Sequence, residues 1–244
     1  MRKLGWIPDK EDKRDFPYMA PKALFRKLPR EANVAGVFPP VYQQGLLGSC
    51  VGNAVAAQVS ASHVILRKPD PMPSRLFIYY NAREMEGTEL IDAGCMIRDA
   101  IKSVNKQGVC PEALWKYDIS KFATHPPKTC YDAALKDRVL SYHRITGLTS
   151  MKVCLVEGFP FSIGVKVCEN FPFETTTGDI PMPEGEQIGG HAMVVVGYND
   201  DYKKFIVRNS WGVEWGYKGY GTIDYAFISN PLLAMDFWTV RVVQ

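Results

Sequence analysis

From Cys50 to about Lys68 apolar residues recur every three or four positions: Val51, Val55, Val59 and Leu66, flanked by Ala54, Ala61 and Ile65. That spacing lines up one face of a helix and predicts a single long buried one. Gly48 and Ser49 supply its turn and cap, and Pro69, Pro71 and Pro73 end it. Leu76 to Arg83 and Met96 to Val104 predict two further helices, with Gly108 as a stop signal. The period then changes. Phe161 to Val167 alternates, Ala192 to Val196 is a continuous apolar run, and Phe205 to Arg208, Gly221 to Tyr225 and Trp238 to Val242 follow, parted by Gly, Asn and Asp turns. These read as strands. Helices followed by strands predict an α+β fold, a helical lobe and a strand-rich lobe with a cleft between them.

Residues 1 to about 38 are charged, proline-dotted and aperiodic, an arm closed off by Pro39-Pro40. The expected division is an arm over 1–38 and one domain over 39–244, with the helical lobe at about 39–135 and the strand-rich lobe at about 136–244. The arm has three open arrangements: a flexible tail, a strap across the back of the lobes, or a short plug in the cleft. Trp6, Phe16 and Tyr18 are its candidate anchors.

Composition narrows the function little. The 244 residues are 46% hydrophobic with a formal charge of +3, and the basic residues are scattered, so nucleic acid is a poor partner. No run approaches the roughly 18 apolar residues of a membrane span. The basic start lacks an apolar signal core, which favours a cytoplasmic over a secreted setting. Six cysteines carry no C-x-x-C metal spacing, and no metal or cofactor is expected. If Cys50 is set aside as a nucleophile, five remain, so at least one stays unpaired; mostly free thiols are expected.

Cys50 stands at a helix start, where the macrodipole favours its thiolate. It needs an imidazole, and the chain has four histidines. His63 lies too far along the helix that Cys50 opens, and His125 and His143 sit in polar stretches. His191 follows Gly189-Gly190 and opens an apolar strand, a place from which a side chain projects into a cleft. Asn209 is 18 residues further on (209 − 191), enough for a strand, a turn and a return strand. Its amide oxygen is suited to fixing the imidazole tautomer, with Trp211 covering the bond from water. The Cys50 backbone N–H and the Gln44 side-chain amide are the natural donors to an oxyanion. By contrast, Gly216, Gly219 and Gly221 lie among aromatics before a strand and read as turn glycines rather than a phosphate loop. Glu112 and Asp118 read as a solvated loop. The segment from Gly178 to Glu184, with Gly185, Gly189 and Gly190 after it, is expected to be a long loop rimming the cleft.

With these residues in hand, the chain from about Pro40 onward resembles the papain-like cysteine peptidases, and among them the short prokaryotic-style members. The likeness rests on Gln44, on Gly48-Ser49-Cys50, on Gly190-His191-Ala192, on Asn209-Ser210-Trp211-Gly212 and on the stretch from Trp215 to Gly221. It implies a thiol endopeptidase with a helical left lobe and a β-barrel-like right lobe. Cys50 then attacks, His191 moves the protons, and a thioester intermediate is hydrolysed. An exopeptidase, a transacylase and an inactive peptide-binding homologue are the alternatives. The resemblance further implies that Gly94 and Cys95 hydrogen-bond the substrate backbone. It places Met96 and Ile97 at an apolar pocket for the second residue before the cut, and Gly190 among the substrate-binding positions. Cys95 stands where glycine is usual, Leu47 where many relatives carry a cysteine, and Val51 where an aromatic is usual. The expected partner is a peptide or protein substrate, with self-inhibition by the arm if it is a plug.

Overall fold

A computed structural model describes residues 2–243. The arm contributes two short strands, β1 (Trp6–Ile7) and β2 (Glu31–Asn33). Then come α1 (Cys50–Ile65), α2 (Arg75–Glu86), β3 (Cys95–Met96), α3 (Ile97–Lys106) and α4 (Lys128–Ala134). The second half runs β4 (Val139–Arg144), α5 (Leu148–Val156), β5 (Phe161–Cys168), β6 (Asp179–Ile180) and β7 (Gln187–Asn199), then β8 (Lys204–Arg208), β9 (Tyr220–Asp224), α6 (Tyr225–Ser229) and β10 (Ala234–Val243). This is the α+β two-lobe arrangement expected from the pattern, with helices in the first half and a large mixed sheet in the second.

Helix α1 is buried from Cys50 through His63, which explains why small and apolar residues occupy nearly all of it. Its interior polar side chains find partners, as burial requires, and two of them reach across to the second half of the chain. Gln58 Nε2 donates to the carbonyls of Pro160 (3.2 Å) and Trp238 (2.7 Å), and Ser62 Oγ to that of Val240 (3.2 Å). Ser49 departs from expectation: its side chain makes no cap bond, and instead its hydroxyl meets Tyr117 and accepts from Asn53 Nδ2. The start of α1 is thus tied sideways into the lobe. Helix α2 is capped conventionally, with Ser74 Oγ accepting from Phe77 N and Gly87 closing the helix at φ 70°.

The sheet runs in the order β4-β10-β5-β7-β8-β9-β6, and β2 also pairs with β7. Strand β7 is longer than the apolar run predicts, beginning at Gln187 rather than Ala192, so His191 sits inside a strand and not at its end. The cause is tertiary: β5 pairs through Val165↔His191, Lys166↔Gly190 and Val167↔Gly189, holding residues of little strand propensity in the ladder. The expected loop before the histidine is likewise part strand, because β6 pairs parallel with β9 through Asp179↔Thr222 and Ile180↔Ile223. Gly189 and Gly190 have a physical reason: a Cβ on either would stand 2.6 Å from Leu4 or Trp6 of the arm, respectively.

Candidate active site

Helix α1 delivers Cys50 at its first residue and β7 delivers His191, and both are 0% exposed. Asn209 follows β8, which lies beside β7, so the return strand foreseen from the spacing brings its Oδ1 to 2.8 Å from His191 Nε2. The same Oδ1 accepts from Ser210 N at 2.8 Å, which fixes the amide orientation and makes Nε2 the protonated nitrogen. Nδ1 has no hydrogen-bond partner among the described residues, the Cys50 thiol included. Trp211 lies over the pair, its ring centroid 4.5 Å from that of His191, with Phe171 and Phe173 behind it.

Gln44 is fully buried and oriented from both ends. Its Oε1 accepts from Ser210 Oγ (2.7 Å), and its Nε2 donates to the carbonyls of Leu47 (2.9 Å) and Lys3 (3.1 Å). The other three histidines serve elsewhere: His63 pairs with Asp137 at 2.8 Å, His125 is exposed, and His143 meets Ser141. All six cysteines are free thiols.

The arm fills the groove beside these residues. Gly5 N donates to the Gly190 carbonyl at 3.1 Å and Cys95 N to the Gly5 carbonyl at 2.9 Å, and β1 pairs parallel with β3 through Trp6↔Cys95 and Ile7↔Met96. Gly94 has φ 78°, and a Cβ there would lie 2.2 Å from the Gly5 carbonyl oxygen, so glycine is required on both counts. Gly94, Cys95, Met96 and Gly190 therefore border one groove. Ile97 opens α3 as a fully buried member of the core. On the other side, Arg2 donates to the Trp211 carbonyl at 3.0 Å and lies 5.0 Å from its ring centre.

Burial sets the electrostatics. It pushes the Cys50 thiol up to about 11, although the backbone N–H groups of Ala192 and Gly5 work in the other direction. It pulls His191 down to about 4, against the Asn209 bond and with help from the Arg2 charge. With the arm docked, burial thus disfavours the charged form of both groups.

The sequence pattern missed how the arm is held. Asp9 is 1% exposed in its side chain; its Oδ2 accepts from Arg144 Nη2 (2.8 Å) and Trp238 Nε1 (2.7 Å), and its Oδ1 from Arg98 N (3.1 Å). Asp15 takes Arg98 Nη1 and Arg144 Nε. Of the candidate anchors, Trp6 is buried and Tyr18 bonds Glu157, but Phe16 is 65% exposed.

A thiol at a helix start and an imidazole steered by an amide, set between two lobes, define a cysteine-dependent acyl-transfer enzyme. The family model for papain family cysteine proteases matches residues 29–230. The chain is similar to xylellain, a cysteine protease from Xylella fastidiosa, with 38% identity and a TM-score of 0.92 over 100% of this chain and 98% of that one. It is 36% identical to an uncharacterized peptidase C1-like protein of Acanthamoeba polyphaga mimivirus, over 99% of this chain and 88% of the relative. A procathepsin B of Trypanosoma congolense shares the fold, with a TM-score of 0.82 at 18% identity over 98% of this chain and 85% of that one. The chain belongs to the papain family of cysteine proteases and is a cysteine-type peptidase, a hydrolase.

Proposed function

We propose that the protein is an endopeptidase that its own arm holds latent. Cys50 is the nucleophile, His191 its base and acid, Asn209 the orienting group, and Gln44 with the Cys50 backbone N–H the oxyanion donors. Gly94, Cys95, Met96 and Gly190 border the track for the substrate backbone. One observation carries this reading: the arm crosses the thiol as continuous main chain. Arg2 lies on Trp211 on one side, the Lys3 carbonyl meets the Gln44 amide, and Trp6 lies beyond Gly5 on the other. A groove that accommodates chain on both sides of the nucleophile suits an internal peptide bond, whereas an exopeptidase closes one end.

Once the arm leaves, water returns to the pair and the Arg2 charge beside His191 is gone. The Cys50 proton then passes to His191 Nδ1, and the thiolate adds to the substrate carbonyl. As the tetrahedral intermediate collapses, the C–N bond breaks and the imidazolium protonates the departing amine. Water, deprotonated by His191, opens the thioester to a carboxylic acid and regenerates the thiol. While the arm is docked, burial holds the Cys50 thiol in its protonated form, which protects the arm's own bonds.

The test is labelling with a thiol-directed peptidyl epoxide, the site read by mass spectrometry, beside Cys50→Ala and His191→Ala. Labelling at Cys50 alone, lost in His191→Ala, together with internal cuts in a denatured protein, is expected. Release of terminal residues or dipeptides only would replace the endopeptidase reading, and full proteolysis by Cys50→Ala would end the mechanism.

A further inference from the structure

Asp92 stands beside the turn that leads into Cys50, its side chain 10% exposed, and donors converge on it from three parts of the chain. Gly48 N donates to both oxygens, at 3.0 Å to Oδ1 and 3.2 Å to Oδ2. The Tyr79 hydroxyl donates to Oδ1 at 2.5 Å, and Lys3 Nζ of the arm lies 2.5 Å from Oδ2. The segment that carries the carboxylate is held on both sides. Arg83 Nη1 donates to the Glu89 and Ile91 carbonyls just before it, and Gly94 N just after it donates to the Tyr79 hydroxyl at 3.1 Å. A Cβ on Gly48 would stand 3.1 Å from Oδ1, so the close approach of turn and carboxylate favours glycine there.

One peptide group carries this contact to the oxyanion donor. The N–H of the Leu47–Gly48 peptide points at Asp92, and its carbonyl accepts from Gln44 Nε2 at 2.9 Å. A peptide group is planar, so holding its N–H sets the direction of its C=O. The Gln44 amide has two N–H protons. The Leu47 carbonyl takes one; the other reaches the Lys3 carbonyl at 3.1 Å and is released for an oxyanion once the arm leaves. Ser210 Oγ holds the amide oxygen at 2.7 Å, and the Leu47 carbonyl is the second point that fixes the amide plane. Lys3 departs with the arm, whereas the Gly48 and Tyr79 bonds to Asp92 lie within the enzyme body and stay.

We propose that Asp92 is a positioning residue for the oxyanion: through the Leu47–Gly48 peptide it keeps one Gln44 N–H occupied and the other aimed at the reacting carbonyl. Asp92 acts here through Gln44, so its role rests on the oxyanion reading of that residue given above.

The test is a double-mutant cycle on kcat for a peptidyl amide, in the full-length chain. The arm competes with substrate within one molecule, so its docking alters apparent KM and leaves kcat at saturation as it was. Asp92→Ala is expected to lower kcat roughly ten- to hundredfold, as for a group displaced by about an ångström from a reacting centre, without raising KM. In a Gln44→Ala background the same substitution should change kcat by less than about twofold, because residues that act as one unit do not add. Asp92→Asn, which keeps an acceptor for Gly48 N, should recover most of the loss. Lys3→Ala removes the ion pair from the arm's side and should lower apparent KM with kcat unchanged. An undiminished kcat in Asp92→Ala, or an equal loss with and without Gln44, overturns the positioning role while the oxyanion reading stands. A wild-type kcat in Gln44→Ala overturns both. Should Asp92→Ala not fold, Asp92→Glu, whose carboxylate reaches one bond further, goes through the same cycle and is judged by the same outcomes.

Discussion

Gly5→Ala is a one-carbon lever on the cleft. An added Cβ would sit 1.8 Å from the Gly48 carbonyl oxygen and 2.4 Å from its carbon, in the backbone turn that leads into Cys50. That turn is anchored by Gly48 N on the Asp92 carboxylate at 3.0 Å, so the arm is the side that yields. Its retreat breaks the Gly5–Gly190 and Cys95–Gly5 backbone bonds. At a net 0.5–1.5 kcal/mol each, their loss weakens docking by about 1–3 kcal/mol, or roughly 5- to 150-fold in the open population. The assay is the second-order rate of Cys50 alkylation by a peptidyl epoxide at fixed pH, followed by intact mass and peptide mapping. When opening and closing outpace the chemistry, that rate tracks the open population. The other five thiols are free and form an internal control, four of them buried and Cys168 half-buried. If they react alongside Cys50, opening is global. An unchanged Cys50 rate in a folded Gly5→Ala chain would refute the claim that docking of this segment shields the thiol.

Asp9 should give the arm contact a pH dependence: burial, then the Asp236 charge, lift its carboxyl from 3.8 to about 7, against the Trp238, Arg98 and Arg144 interactions. A folded pKa raised above the unfolded one gives stability that is complete below about 3.8 and lost as pH rises through about 7. The melting temperature of the wild type should therefore fall relative to Asp9→Asn between roughly pH 5 and 8, and parallel curves would remove the assignment. Gln44→Ala should lower kcat by about 10²–10³ while KM barely moves, and a change confined to KM would deny it the oxyanion role. Arg83, fully buried, donates to the carbonyls of Glu89 (2.8 Å), Ile91 (2.6 Å) and Phe122. Arg83→Met should cost on the order of 3 kcal/mol by urea unfolding, because three partly buried carbonyls lose a charged donor.

What was legible in the sequence is what short segments decide. The spacing of Val51, Val55 and Val59 gives α1, and the two helices after it end within three residues of the pattern's limits. Cys50, His191, Asn209 and Gln44 stand in motifs, and the fold buries all four and joins His191 to Asn209. What escaped is what a distant partner decides. Gln187 to Gly190 has no strand pattern of its own and becomes strand only because β5 lies beside it. Strands β1 and β2, two and three residues long, exist only through β3 and β7. The ion cluster that fixes the arm joins Asp9 and Asp15 to residues 83 to 227 positions away, a separation that no local period records.

Because β7 is held at both ends by the arm, residues 1–38 do not act as one piece. Near its start, Gly190 accepts from Gly5. Near its end, Gly197, Tyr198 and Asn199 pair with Asn33, Ala32 and Glu31, and Val34 N continues the ladder to the Val196 carbonyl at 2.7 Å. Val34, Ala35 and Phe38 then pack against the same hydrophobic cluster that contains Cys50 and α1. Trp6 and its neighbours close the cleft, whereas residues 31–38 complete the sheet and its core. Between them the chain over Lys22, Ala23, Phe25, Arg26 and Lys27 is mostly exposed, where a nick meets little packing. A nick there turns an intramolecular plug into a bound peptide. Docking then depends on peptide concentration instead of the millimolar-scale effective concentration of a short tether. The enzyme body keeps β2 and the β7 edge it covers. Removal of the whole of 1–38 would confound the two roles, opening the cleft while exposing the backbone of β7 and the underside of α1.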